Sequence, residues 1–123
     1  MKNGGALKAR INAVAHAAED EAFAEDIRIW HPQAVAHLDN DALNALVTLT
    51  RERAIAFGIT DPRLRARFVM IACAVAPNFW RNPLFYHLLN AQTGTADTRF
   101  GDVCALLRLS LQQSGRPGWA WWN

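Results

Sequence analysis

Apolar residues recur along most of this chain at spacings of three and four, a rhythm that predicts helices. Ala6 to Trp30 reads as one long helix or two abutting ones. Its first part carries a shallow stripe of Ala6, Ala9, Ala13 and Ala17 with Leu7, Ile11 and Val14. Its second part carries a heavier stripe of Phe23, Ile27 and Trp30, expected to be the better packed. His31-Pro32 stops it, because proline lacks an amide proton and disfavours helical geometry in the residue before it. A short turn through Val35 and Leu38 follows. Asp39 or Asn40 then caps a helix over Asp41 to Phe57, whose Leu43, Leu46, Val47, Thr50, Ala54 and Phe57 fall at offsets 0, 3, 4, 7, 11 and 14. Gly58 is its natural stop.

Thr60 or Asp61 caps the next segment, Pro62 to Ala76, with Pro62 in a first turn where a missing amide proton costs nothing. That segment starts polar at Arg63, Arg65 and Arg67 and is apolar on every side from Phe68 to Ala76, the pattern of a central helix surrounded by neighbours. Ala76-Pro77-Asn78-Phe79 breaks it. Asn82-Pro83 opens a helix to Asn90 carrying Leu84, Phe85, Leu88 and Leu89. After a loop over Gln92 to Thr98, Asp97 or Thr98 starts a last helix reaching about Gln113, with Phe100, Val103, Cys104 and Leu107 on one stripe and Leu106 and Leu109 beside it. No stretch alternates with period two for long enough to make a strand. The prediction is an all-α bundle of about five helices with antiparallel neighbours and no sheet.

Composition narrows the class more than the function. With 123 residues, 51% of them apolar and 20% charged, a single soluble domain over 1–123 is expected, with 114–123 a Gly/Pro/Trp C-terminal tail. A formal charge of +2 is too small a surplus to imply nucleic acid or an anionic membrane surface. The apolar run from Phe68 to Pro77 is about half the roughly 20 residues a membrane-spanning helix needs, and Met1 to Ala18 is interrupted by Lys2, Lys8 and Arg10. No membrane partner is expected. Cys73 and Cys104 both lie within apolar periodic segments, as buried thiols of a reducing compartment do, and a cytoplasmic location is the expectation.

The candidate chemistry is sparse. His16, His31, His37 and His87 show no ligand-pair spacing with each other or with the cysteines, so neither a metal nor another cofactor is expected. Cys73, among Ile71, Ala72, Ala74 and Val75, reads as a core thiol and a poor nucleophile. Glu19, Asp20, Glu21, Glu25 and Asp26 read as a solvated acidic face. Arg51, Arg53, Arg63, Arg65 and Arg67 surround the turn at Gly58, which formally admits a helix-turn-helix. The second helix, however, is polar only in its first turn and a half and lacks a face for base edges, so no nucleic acid is expected. No catalytic motif is present, and the reading is a non-enzyme. The informative feature is aromatic. Trp119, Trp121 and Trp122 lie beyond the last helix after Pro117-Gly118, and Trp80, Arg81 and Phe85 occupy the proline-punctuated corner. The tail either folds back as a lid or anchors a partner, since tryptophan is enriched among binding hot spots.

Ala54-Ile55-Ala56-Phe57-Gly58-Ile59, then Phe68-Val69-Met70-Ile71, then Ala76-Pro77-Asn78-Phe79 with Pro83, preceded by His31-Pro32, is similar to small all-helical accessory proteins encoded in bacterial type VI secretion effector clusters. The similarity runs from about Phe23 to Leu111. Ala76 stands where those proteins have glycine, and Trp80-Arg81 where an acidic residue is usual. The resemblance implies a non-catalytic adaptor or co-chaperone that engages a secreted effector or its chaperone during loading. On that reading the corner residues Trp80, Arg81 and Phe85 and the tail residues Trp119, Trp121 and Trp122 would be the partner-binding anchors. The alternative is an immunity protein that neutralises a cognate toxin, and a homodimer through the surplus apolar surface would account for the composition equally well.

Overall fold

The computed structural model describes the backbone of residues 2–114 and the side chains of 16–113. Five α-helices follow one another in that span, α1 (Lys2–Trp30), α2 (Asn40–Ala56), α3 (Pro62–Met70), α4 (Pro83–Leu89) and α5 (Ala96–Ser114), and no strand occurs among the described residues. α1 packs on α2 and α2 on α3, while α4 and α3 both pack on α5. None of these helices is long and apolar enough to cross a membrane. The shallow stripe from Ala6 to Val14 and the tail from Gly115 to Asn123 lie outside the described side chains.

The helix ends follow the local chemistry of the sequence. Asp39 is the N-cap of α2, its carboxylate accepting from the Ala42 amide at 2.7 Å. Asp61 does the same for α3 through the Arg63 amide at 2.8 Å, with Pro62 in the first turn. At the end of α2 the Gly58 amide donates to the Ile55 carbonyl and the Ile59 amide to the Ala54 carbonyl. This paired closure needs a left-handed residue, which Gly58 supplies at φ +89. α5 begins at Ala96, one or two residues earlier than the sequence suggests. Thr95 caps it, its hydroxyl accepting from the Thr98 amide at 3.1 Å. Asp97 serves elsewhere, accepting from the Thr60 amide at 2.7 Å, the Thr60 hydroxyl at 2.8 Å and the Asp61 amide at 3.2 Å. The first turn of α5 is thereby fastened to the start of α3.

Burial divides into two clusters. One joins Ala24, Ile27, Val35, Leu43, Val47, Val69 and Cys73, an aliphatic seam between α1, α2 and the far end of α3. The other is built around Phe68, with Ile71, Phe79, Trp80, Leu89, Phe100, Val103 and Leu107 among its members. Each fully buried aliphatic or aromatic side chain stabilises the fold by about 1.5–3 kcal/mol. Two placements correct the sequence reading. Trp30, expected on the packed stripe of α1, is 75% exposed, because α1 ends there and Pro32 turns the chain away before a neighbour covers it. Asp20, expected on a solvated face, is 4% exposed. Its carboxylate receives Arg51 through Nε at 2.8 Å and Nη2 at 3.1 Å, and the Thr48 hydroxyl at 2.8 Å, locking α1 to α2. The same contact raises the Arg51 pKa further above its ordinary value.

Candidate functional site

The corner between α3 and α4 holds the irregular backbone of the molecule. After Met70 the helix widens into a π-turn over Ile71–Val75, closed by the Ala76 amide donating to the Ile71 carbonyl at 2.8 Å. A wider turn sends more consecutive residues inward, and Ile71, Ala72 and Cys73 are all buried. Pro77 forbids continuation, and Ala76 leaves the helical region at φ −143, ψ 88. Asn78 then takes the left-handed conformation at φ 56, a strain that asparagine tolerates better than most residues. A 3₁₀ turn over Phe79–Arg81 leads to Asn82, whose side chain accepts from the Leu84 amide at 3.0 Å and starts α4. π-turns and left-handed non-glycine residues both concentrate at functional sites, and here they are three residues apart.

Beneath this corner lies a half-open cleft of about 350 Å³. Leu46 and Thr50 of α2 form one wall, Cys73 and Trp80 another, and Leu38 of the preceding turn closes it, with His37 at the edge. The hydroxyl inside, that of Thr50, is already satisfied. The Thr50 hydroxyl donates to the Leu46 carbonyl at 2.9 Å, with the Val47 carbonyl at 3.1 Å. Burial pushes the Cys73 thiol up to about 11, against a smaller opposing effect from its hydrogen bond with Thr50, so the sulfur is protonated near neutrality and a poor nucleophile. Cys104, within the Phe68 cluster, is pushed to about 11 by the same cause. Such a cleft offers apolar surface and shape.

The six residues picked out by sequence separate here. Trp80 is only 7% exposed, so the structure places it in the core. Its ring stacks on Phe68 at 5.5 Å and 15° and meets Phe79 edge-on at 5.6 Å, while the Arg53 guanidinium sits 5.8 Å from its centroid. The 3₁₀ turn points the indole into the Phe68 cluster and leaves only an edge in the cleft. Arg81 is exposed, and Phe85 is half-buried against that cluster. Trp119, Trp121 and Trp122 lie outside the described residues. On α4 the exposed apolar side chains are Leu84 and Tyr86, which the sequence did not single out as binding residues. Their pattern across a seven-residue helix was too short to orient.

The basic cluster around Gly58 is dispersed by its contacts. Arg51 is paired with Asp20, Arg53 lies over Trp80, and Arg65 donates to the Ile59 carbonyl at 2.7 Å. Among the described residues no three His, Cys, Asp or Glu side chains group as metal ligands. Compared with protein-family models, with curated proteins and with solved structures, the chain has no match in any of the three.

Proposed function

We propose that the chain is a non-catalytic protein-binding accessory factor, an adaptor or co-chaperone that engages a type VI secretion effector or that effector's chaperone during loading. The observation that carries the reading is the largely apolar cleft under the α3–α4 corner, with exposed Arg81, Leu84 and Tyr86 on the chain that leaves it. An apolar recess beside a cation and exposed apolar side chains is the composition of a protein-binding patch. The resemblance of the central block to accessory proteins of effector clusters supplies the partner class.

The test is co-purification of the tagged chain with the effector and chaperone encoded beside it, wild type against Val75→Trp, which fills the cleft, and Arg81→Glu on the exposed surface. Capture is expected to fall about tenfold or more in each variant with helicity retained. Absence of capture by the wild type, or capture indifferent to both variants, overturns the reading. Rescue of cells from the effector's toxicity by this chain alone, without any effect on loading, transfers it to the immunity class.

A further inference from the structure

A second recess lies on another side of α2, and its chemistry is different. It is a groove of about 320 Å³ between α1 and the start of α2, floored by Ala24 and Leu43. Glu21 and Glu25, one helical turn apart, stand along its α1 wall, and neither makes a hydrogen bond or ion pair with another described residue. Asn40 and Asn44 line the opposite wall. Ile29, 69% exposed, continues the Glu21–Glu25 row by one more turn.

The local charge is negative. From His16 to Trp30 the charged side chains other than histidine are Glu19, Asp20, Glu21, Glu25, Asp26 and Arg28. Asp20 is neutralised by Arg51, and Arg28, which also lines the groove, donates to the carbonyls of Leu38 at 2.8 Å and Val35 at 3.5 Å. Asp39 and Asp41 add further carboxylates at the α2 end. Two unpaired carboxylates at helical spacing over an apolar floor complement two cations one turn apart whose methylene stems lie along apolar surface. We propose that this groove docks a basic amphipathic helical segment of another protein, with lysine or arginine side chains paired to Glu21 and Glu25 and an apolar residue against Ile29. The inference stands on a different face from the cleft and does not depend on the effector-loading reading.

The experiment is fluorescence anisotropy with a labelled amphipathic peptide carrying two lysines one turn apart beside leucines, titrated with the full chain. The wild type is expected to bind it and not the same peptide with glutamates in place of the lysines. The E21Q/E25Q double variant should weaken binding about tenfold, since two exposed ion pairs are lost together and each is individually modest. Raising the salt to about 0.5 M should weaken it similarly. Both glutamates are exposed, so the far-UV spectrum should be unchanged; Ile29→Ser is the second variant and should also weaken binding. No binding by the wild type, binding indifferent to E21Q/E25Q and Ile29→Ser, or a wild-type dimer in sedimentation that the double variant turns monomeric would overturn the proposal, the last because a second copy would then be the occupant.

Discussion

The two buried clusters of this protein are held by different physics. The Phe68 cluster is aromatic: Phe68 meets Phe79 at 4.8 Å, Phe100 at 5.4 Å, Trp80 at 5.5 Å and Phe57 at 6.1 Å, so one ring joins α2, α3, the corner and α5. Such ring pairs contribute about 0.5–1.5 kcal/mol each beyond the area they bury. The fully buried members of the α1–α2 seam are small or aliphatic, with Phe23 half-buried beside them, and its directional element is the Asp20 carboxylate with Arg51 and Thr48. Packing of large rings has few alternative arrangements, whereas an aliphatic seam has many and needs a polar lock to set its register. Each cluster also holds one buried thiol, Cys104 in the first and Cys73 in the second, which gives each its own reporter.

The largest break comes from Phe68→Ala. Removing a ring at 0% exposure with four aromatic neighbours should cost about 3–5 kcal/mol in urea unfolding. If the clusters are distinct in stability, alkylation of Cys104 should accelerate more than that of Cys73; equal acceleration would make them one cooperative unit. Asp20→Ala should come next, at about 1.5–3 kcal/mol, because it leaves the Arg51 guanidinium without its carboxylate. Here Cys73 should be the thiol that gains reactivity. In a double-mutant cycle, adding Arg51→Ala should cost much less than it does alone, and strict additivity would show that the pair does not act as a lock.

The smallest effect belongs to Asp97, which ties the start of α5 to the start of α3. Hydrogen bonds from the Thr60 amide and hydroxyl hold its carboxyl below the ordinary carboxylate range. The unfolded chain therefore binds the proton more readily than the folded one. The stability this supplies is fully present above the unfolded value, about pH 4, and is lost as pH falls through the lower folded value. Asp97→Asn should flatten the acid limb of the stability curve below about pH 4 and leave both thiols unreactive at neutral pH. An unchanged acid limb would show that the fastening is absent in solution.

Local chemistry was legible wherever it was self-contained. The buried row Leu43, Val47, Thr50 and Ala54 of α2, the row Phe100, Val103, Cys104 and Leu107 of α5, the caps at Asp39, Asp61 and Asn82, and the stop at Gly58 all follow from residue type and spacing. Asp20 was partly legible, since it shares the stripe of Ala24 and Ile27, but a run of acidic neighbours hid it. The cleft was not legible, because it is made by three separate stretches of chain that meet only in space.

What the sequence determined by itself is thus an all-helical fold, the ends of α2, the start of α3 and α4, and two of the core stripes, because helix periodicity and capping are settled within a few residues. Tertiary structure alone decided that Trp30 is exposed and Trp80 buried, that Asp20 is paired rather than solvated, and that α3 widens into a π-turn at Ile71. Those outcomes depend on which neighbour stands opposite each side chain, and an indole or a carboxylate has the same local preferences whether or not a partner is there to meet it.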